Sequence, residues 1–208
     1  MAAAATPGDV LVAVAAALRA AAAELNRLDG VAGDGDLGVT AGRAADALDE
    51  LAPTLSADDP AAAARAIGTA LARRAPSTGG TLIAFACLAA GKVELPSGQG
   101  GLAAAVLLLE AARDEIARRG KVGPGDRTML DALGPAADAL SEAAAGGADA
   151  RAAFAAAARA ADQGAIATAA MEATTGRAGW LADRARGHED AGARLVAIVL
   201  DAAASALR

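Results

Sequence analysis

Apolar residues recur along the chain at the three- and four-residue spacing that is typical of one face of an α-helix. Leu11, Val14, Leu18 and Leu25 follow this spacing, whereas the sequence contains no alternating run of β-branched residues long enough to build a sheet. Glycine and proline clusters and capping residues interrupt the pattern repeatedly. The pattern therefore predicts an all-α protein.

Start and stop signals divide this pattern into eight predicted helices. The first follows Asp9, the third follows Asp58-Asp59-Pro60, and the fourth follows the turn Ser77-Thr78-Gly79-Gly80. The predicted helices cover about 10–29, 40–51, 60–74, 81–91, 101–119, a sixth that starts near 126, 149–171 and 190–207. Because helices joined by short connections pack antiparallel, we expect a single domain over residues 1–208, built as an antiparallel bundle or a closed helical barrel.

The amino-acid composition predicts closely packed helices and an acidic protein. Hydrophobic residues make up 55% of the chain but aromatic residues only 1%, and alanine dominates most segments. The formal net charge of −6 leaves no basic stripe that could bind a nucleic-acid backbone, so we expect no nucleic acid as a partner. An acidic balance suits a metal site better.

Cysteine usage and charge placement predict a cytoplasmic location. Cys87 is the single cysteine, so no disulfide can form within the chain. The amino-terminal segment lacks a basic leader, and Arg19 and Glu24 interrupt the apolar stretch that follows. Glu110 and Arg113 break the most apolar later segment, so no membrane span is expected.

The most informative segment is the glycine- and aspartate-rich stretch over residues 28–40. It contains Gly33-x-Gly35-x-x-Gly38, the spacing of a dinucleotide-binding glycine turn. That turn follows a strand and offers bare backbone N–H groups to a pyrophosphate, whereas here a helix is predicted before it and carboxylates occupy two intervening positions. The dinucleotide interpretation therefore fails.

Three carboxylates in this stretch indicate a magnesium site instead. Asp29, Asp34 and Asp36, at spacings of five and two, offer hard oxygen ligands, and the glycines let the chain turn tightly around an ion. A calcium EF-hand is excluded because the twelfth position from Asp34 is Ala45 rather than glutamate. Mg²⁺ typically takes one or two carboxylates together with substrate phosphates, so the loop predicts a metal–nucleotide complex. The alternative is a turn whose aspartates only cap helices.

Several motifs along the chain resemble, in sequence and in order, those of the nucleotide-binding L subunit of dihydroxyacetone kinase, in the DAK2-domain family. The stretch Leu-Asp-x4-Gly-Asp-Gly-Asp-x-Gly from residue 28 is similar to that family's metal loop. Further similarity lies in Ser77-Thr78-Gly79, in Pro124-Gly125-Asp126-Arg127-Thr128-Met129, in Gly176-Arg177-Ala178 and in the segment 187–193. The resemblance spans nearly the whole chain and implies an eight-helix antiparallel barrel with a nucleotide bound at its loop end.

The resemblance also implies roles for individual residues. Asp29, Asp34 and Asp36 would hold two Mg²⁺ ions that bridge the phosphates of ADP or ATP. The residues that would contact the nucleotide are Leu37, Gly38, Val39, Thr40, Ser77, Thr78, Gly120, Thr128, Met129, Arg177, Asp190, Ala191 and Gly192. Among them, Thr40, Ser77 and Thr78 would contact phosphate oxygens, and Gly120, Thr128 and Met129 would line the adenine. Simpler alternatives exist, because Thr128 can cap a helix, Met129 can belong to the core and Arg177 can be a surface charge.

Four departures from the family pattern concern the adenine fit, the partner surface and the substrate rather than the metal ligands. They are Leu37, Ala75-Pro76, Gly179-Trp180 and Ala191. His188, the only histidine, is interpreted as a structural loop residue, and no Ser-His-Asp arrangement is indicated. Gly91-Lys92-Val93 and Gly120-Lys121-Val122 lack the hydroxyl residue that a P-loop needs.

The activity that the resemblance implies is phosphoryl transfer to dihydroxyacetone held by a separate K subunit, with no catalytic base from this chain. The phosphoryl donor would be ATP, or bound ADP recharged by a phosphotransferase-system protein. Two other functions remain open: a nucleotide-loaded regulatory protein without chemistry, and a kinase subunit for another small polyol, a tetrose or a fatty acid. A homodimer is a further alternative for the assembly.

Overall fold

The computed structural model describes residues 5–96, 101–174 and 182–207, and within these ranges the chain is helical without strands. Ten α-helices follow one another in the described ranges: α1 (Pro7–Ala20), α2 (Ala22–Ala32), α3 (Leu37–Leu51), α4 (Pro60–Arg74), α5 (Thr78–Ala90), α6 (Gly101–Gly120), α7 (Leu130–Ala145), α8 (Ala150–Ala167), α9 (Ala182–Ala185) and α10 (Ala191–Ala206). Two short 3₁₀ turns, Ala52–Thr54 and Thr168–Ala170, follow α3 and α8. The all-α prediction is confirmed.

Eight of these helices pack in a closed ring. Going round it, α1 packs on α3, then α4, α5, α6, α7, α8 and α10 follow in order, and α10 packs back on α1. Neighbouring helices run antiparallel where cross-contacts locate them: Gly68 of α4 approaches Ala84 and Leu88 of α5, while Gly91 beyond α5 approaches Ala61 near the start of α4. The expected helical barrel is therefore present, with α2 packed on α3 and α10 at one end of the ring.

Helices α3 and α5 each begin three residues before their predicted starts, and two further helix starts, those of α1 and α7, also lie away from their predicted positions. Helix α1 begins at Pro7, because Thr6 is the N-cap and Asp9, the third helical residue, completes a capping box by accepting the Thr6 N–H. Helix α7 begins at Leu130 rather than near residue 126, because Arg127 has a φ of +60° that no right-handed helix accepts. Local capping thus extended one helix, and a left-handed residue shortened the other.

The first predicted helix is also interrupted. Ala21, with φ −88° and ψ −1°, separates α1 from α2. The segment that was predicted as one helix ending at Asp29 therefore forms two helices, and the second of them ends at Ala32. Gly38 of α3 lies against the Ala22 carbonyl just after this break. The interruption therefore lies beside a close contact between α2 and α3.

Alanine lets the helices of the barrel approach one another closely. In the α7–α8 pair the facing residues are completely or almost completely buried, and they include Ala132, Ala136, Ala153, Ala157 and Ala161. A β-carbon on Gly164 of α8 would overlap the Asp131 carbonyl of α7, which shows how near the two backbones are. The alanine-rich composition is thus explained by small side chains at helix contacts.

The barrel encloses an apolar cavity of about 300 Å³ between α1, α3, α4, α5 and α10. Cys87 lies in its lining, and burial raises the pKa of this thiol to about 11, in agreement with its interpretation as a small buried hydrophobic residue. Thr40 also lines the cavity and is 7% exposed. Among the described residues, no helix is long and apolar enough to cross a membrane.

Candidate metal and nucleotide site

The three aspartates of the predicted metal loop lie together at the junction of α2 and α3. Asp29 is in the last turn of α2, and Asp34 and Asp36 follow in the four-residue link to α3. One carboxylate oxygen from each of the three lies within 4.8 Å of the others, with Asp29 half-buried and the other two exposed. Three negative charges at this distance repel one another, so the group is suited to a divalent cation with hard oxygen ligands.

Asp29 is oriented by the backbone of the loop that it faces. Its Oδ2 atom accepts hydrogen bonds from the N–H groups of Asp36 at 3.0 Å and Leu37 at 3.4 Å. Its Oδ1 atom lies so close to Gly33 that a β-carbon there would overlap it. Gly35 has a φ of +76°, the left-handed conformation that glycine adopts without strain. The Asp29 Oδ2 atom therefore holds the loop by hydrogen bonds, and the absence of a side chain on Gly33 leaves space for the Oδ1 atom.

Asn26, which the sequence analysis did not identify, joins α2 to the start of α3. Its Oδ1 atom accepts a hydrogen bond from the Gly38 N–H at 2.6 Å. A β-carbon on Gly38 would overlap the Ala22 carbonyl and would lie 2.7 Å from the same Asn26 oxygen. Asn26 stands one helical turn before Asp29 on α2, and this spacing is the only sequence signal that could have indicated its role.

Residues 37–40 at the start of α3, which were predicted to contact the nucleotide, lie partly at the surface and partly in the interior. Val39 is 49% exposed, whereas Leu37 packs against the hydrophobic core. The N–H groups of Leu37 and Gly38 already donate to side chains of α2. The Thr40 N–H bonds to the Asp36 carbonyl, and its side chain lines the barrel cavity. Thr40 is therefore buried at the cavity, and its contact with phosphate oxygens stays a prediction.

Helix α5 begins at the predicted small-residue turn. Ser77 is its N-cap, and the Ser77 Oγ atom accepts a hydrogen bond from the Gly80 N–H at 2.9 Å. Thr78 follows as an exposed first residue of the helix. A helix N-terminus with an exposed hydroxyl can bind an anion, because its first N–H groups lack partners within the helix.

Met129, predicted to line the adenine, lies against glycines from two distant helices. A β-carbon on Gly192, in the first turn of α10, would lie 3.5 Å from the Met129 Cε atom, and one on Gly79 of α5 would lie 3.9 Å from it. Gly120, at the end of α6, lies beside Leu82 of α5. The structure thus brings two predicted nucleotide residues, Met129 and Gly192, into contact, and Gly79 of α5 also lies near Met129.

The loop between α6 and α7 is held by two aspartates. Asp126 accepts hydrogen bonds from the Thr174 hydroxyl at 2.5 Å and the Gly123 N–H at 2.6 Å, which lower its pKa in that order of importance. Asp131, which is 6% exposed, accepts from the N–H groups of Gly125 at 2.5 Å and Thr128 at 2.8 Å. The Thr128 hydroxyl oxygen itself accepts from the Leu130 N–H at 3.2 Å, so Thr128 does contribute to the start of α7.

Arg127 connects this loop to the segment before α10. It is 3% exposed, and its Nη2 atom donates to the carbonyl oxygens of Ala185 at 3.0 Å and His188 at 2.8 Å. The His188 backbone therefore helps to hold this segment, while the structural role of its side chain stays a prediction. Although Arg127 lies within a motif that carried the resemblance, the sequence analysis assigned it no role.

A small cavity of about 130 Å³ joins this region to the metal loop. It is lined from α2 by Leu28, Asp29, Ala32 and Gly33 and from the opposite side by Arg127, Glu189, Asp190 and Ala191. The start of α10, predicted to close the nucleotide site, therefore faces the end of α2 that carries the first metal-loop aspartate. Arg177 lies outside the described residues.

Asp190 is a buried carboxyl group at this cavity. It caps α10 by accepting the Ala193 N–H at 2.8 Å, and its own N–H donates to the Thr168 hydroxyl oxygen at 2.8 Å. Burial raises its pKa from 3.8 to about 6, although the Ala193 N–H and the Arg127 charge act in the opposite direction. The charge of Asp131 adds a smaller upward effect.

We predict that Asp190→Asn flattens the pH dependence of stability in the metal-free protein. The folded protein keeps the Asp190 proton up to about pH 6, while the unfolded chain loses it near 3.8, so the free energy of unfolding falls as pH rises through this window. Asparagine keeps the helix cap without ionising, so at pH 7 the variant should gain on the order of 1 to 3 kcal/mol. Urea unfolding from pH 4 to 7 measures this, and an unchanged slope for the variant would contradict it.

Comparison with known proteins agrees with this geometry. The DAK2 domain family model matches residues 31–205. The D-erythrulose kinase of Mycolicibacterium smegmatis is 35% identical over 188 residues, which are 89% of this chain and 32% of that protein. The human triokinase/FMN cyclase is 33% identical over 86% of this chain and 31% of its own length. The chain thus spans about a third of the length of these curated relatives.

Solved structures show the same fold. The native dihydroxyacetone kinase of C. freundii superimposes with a TM-score of 0.75 and 29% identity over 95% of this chain and 34% of that one. The same enzyme in complex with AMP-PNP and Mg²⁺ gives a TM-score of 0.75 and 28% identity over 95% of this chain and 33% of that one. With a family match over most of its length and an all-α barrel shared with this kinase, the chain belongs to the DAK2 domain family.

Proposed function

We propose that this chain is the nucleotide-binding, phosphoryl-donor component of a small-hydroxyketone kinase. The observation that carries the proposal is the convergence of Asp29, Asp34 and Asp36, whose carboxylate oxygens approach within 4.8 Å at the loop end of the barrel. The C. freundii dihydroxyacetone kinase, which shares this fold, was solved with a nucleotide analogue and Mg²⁺. Both observations support a magnesium–nucleotide complex at this loop.

The three aspartates would hold two Mg²⁺ ions, which would neutralise the phosphate charge of ATP or ADP when bound. The Ser77–Thr78 start of α5 would bind phosphate oxygens, and Met129 with Gly120 and Gly192 would hold the adenine. A methionine thioether suits a flat aromatic ring because it is flexible and polarisable. Asp190 and Ala191 would close the site from the α10 side. Each group binds or orients, and none is required as a base.

In the proposed reaction the bond from the terminal phosphorus of ATP to its bridging oxygen breaks, and a bond from that phosphorus to an acceptor hydroxyl oxygen forms. The hydroxyl proton passes to a base on the partner, a K subunit that holds the hydroxyketone. If a phosphotransferase-system protein is the donor instead, it recharges bound ADP. Because the acceptor site belongs to the partner, this chain alone should show little turnover.

The acceptor is proposed to be dihydroxyacetone or a four-carbon hydroxyketone. Relatives named D-erythrulose kinase and L-erythrulose kinase, the latter from Pectobacterium atrosepticum and 34% identical over 93% of this chain, favour the tetroses as the second candidate. A panel of dihydroxyacetone, D-erythrulose and L-erythrulose therefore distinguishes the two.

The test combines the chain with a K subunit, ATP, Mg²⁺ and each acceptor in turn. We expect sugar phosphate, detected by mass spectrometry, only when chain, partner and metal are all present. Omitting the partner and replacing the chain by its Asp34→Ala variant are the controls. Nucleotide binding without any phosphorylated product would instead favour the regulatory alternative, in which the loaded chain acts on another protein without chemistry.

A further inference from the structure

Arg127 combines two features that are individually unfavourable. Its guanidinium group is buried, with the residue 3% exposed, and its backbone is left-handed with a φ of +60°. Burial of a charge is costly unless it is hydrogen-bonded, and side-chain-bearing residues rarely adopt this φ. Surrounding interactions must therefore hold Arg127 in this conformation, and such residues cluster where structure serves function.

Asp131 holds the backbone on both sides of Arg127. Its Oδ1 atom accepts the Gly125 N–H at 2.5 Å, and its Oδ2 atom accepts the Thr128 N–H at 2.8 Å. Gly125 is itself left-handed, with a φ of +91°. This aspartate thus maintains a turn that directs the Arg127 side chain away from solvent and towards the segment before α10.

The guanidinium group then binds a distant part of the chain. Its Nη2 atom donates to the Ala185 and His188 carbonyl oxygens, which are 58 and 61 positions further along. The charge also lies close enough to Asp190 to favour the ionised form of that buried carboxyl group. Arg127 therefore links the α6–α7 loop to the residues that lead directly into α10.

The two segments that Arg127 links come into contact two residues further along each of them. Met129 follows Arg127 by two positions, and Gly192 follows Asp190 by two. A β-carbon on Gly192 would lie 3.4 Å from the Met129 Cβ atom and 3.5 Å from its Cε atom. The separation of these two residues consequently depends on how the two segments are held together.

We infer that Arg127 is a positioning residue that holds Met129 and Gly192 in the arrangement that binds the nucleotide base, acting through the backbone of residues 185–190. This inference rests on the proposed function, because it assigns the base end of the same site. Arg127 also lines the small cavity that Asp29 lines, so the test has to separate the base end of the site from its phosphate end. A pocket held in its binding geometry avoids the cost of ordering two loops when the ligand arrives.

The test compares two ligands that share the phosphate end of the site but differ at the base end. Calorimetry would measure the affinity of the intact chain and of Arg127→Met for Mg²⁺–ADP and for Mg²⁺–pyrophosphate. We expect Arg127→Met to weaken ADP binding about tenfold and to change pyrophosphate binding less than about twofold. Arg127→Lys, which can still donate to a carbonyl oxygen, should recover part of the ADP affinity.

Two controls separate positioning from a general loss of stability. Leu140→Ala removes a completely buried core side chain of α7, so it lowers stability but should leave the ratio of ADP to pyrophosphate affinity unchanged. In a double-mutant cycle, Arg127→Lys should cost little ADP affinity once Met129→Ala has removed the side chain through which it acts. This cycle remains informative even if Arg127→Met does not fold.

Each outcome decides the inference. An equal loss of affinity for both ligands, or an unchanged ADP affinity in Arg127→Met, overturns the positioning role while leaving the proposed function intact. Full additivity of Arg127→Lys and Met129→Ala also overturns it. If the unmodified chain binds neither ligand in the presence of Mg²⁺, the proposed function fails and the inference fails with it.

Discussion

Asp34→Ala is expected to abolish Mg²⁺-dependent nucleotide binding while leaving the helix content unchanged. Asp34 supplies one of the three carboxylate oxygens that lie within 4.8 Å of one another, and its side chain is exposed in the link between α2 and α3. Loss of a residue that only orients a metal ligand typically costs about 10–100-fold in metal affinity, so loss of a ligand should cost at least about 100-fold. Calorimetric titration with Mg²⁺–ADP measures the affinity, and circular dichroism measures the helix content.

The matched control for this variant is Asp201→Ala. Asp201 is also exposed but lies ten residues into α10, away from the metal loop, so its removal changes the net charge equally without removing a ligand. It should bind Mg²⁺–ADP like the unmodified chain. Equal affinity of Asp34→Ala and Asp201→Ala would mean that the aspartates only cap and turn the chain, which is the alternative that the sequence left open.

Gly38→Ala is expected to damage both the fold and the metal loop. A β-carbon at this position would overlap the Ala22 carbonyl oxygen and lie 2.7 Å from the Asn26 Oδ1 atom, which accepts the Gly38 N–H. Both obstacles belong to α2, so α3 can only relieve the overlap by moving away from the helix that carries Asp29. Overpacking of this kind costs about 1–3 kcal/mol, and more where backbone atoms are the obstacle. Urea unfolding measures the cost.

Gly42→Ala, one helical turn further along α3, is the control for replacing glycine by alanine in this helix without a steric overlap. Among the described residues, and apart from its chain neighbours and the backbone of its own helix, no heavy atom lies within 4 Å of a β-carbon at Gly42. Alanine in this helix interior should therefore stabilise the protein by roughly 0.5–1 kcal/mol. Opposite signs for the two variants are the expected result. If Gly38→Ala unfolds at the same urea concentration as the unmodified chain and retains its Mg²⁺ affinity, close contact between α2 and α3 is not needed at this site.

Site residues could be predicted from the sequence when their partners are near in the chain, and were missed when their partners are distant. Asp29, Asp34 and Asp36 were found from the sequence because eight consecutive residues contain the complete group, and glycines between them leave few ways to turn. The residues Asn26 and Arg127 were missed because their partners are 12 and 58 or more positions away. Nothing in the identity of Arg127 distinguishes a buried link between loops from a solvated surface charge.

Thr40 shows the same distinction inside one helix. Its position in the first turn of α3 predicts a hydroxyl directed at phosphate, and the folded chain buries the residue at the apolar cavity between α1, α3, α4, α5 and α10. Which face of α3 is turned inwards depends on where α1 and α4 pack against it. That choice cannot be derived from the residues of the first turn, because both faces of this turn carry small or apolar residues.

The sequence by itself determined the helical class, most helix boundaries and the acidic loop, because these depend on interactions within a few residues: periodic apolar faces, and caps such as Asp59, Ser77, Asp149 and Asp190 that bond to N–H groups three positions on. The tertiary structure alone decided the break at Ala21, the closure of the ring and the meeting of Met129 with Gly192. Those features arise from contacts between helices far apart in the chain, and packing rather than local preference selects them.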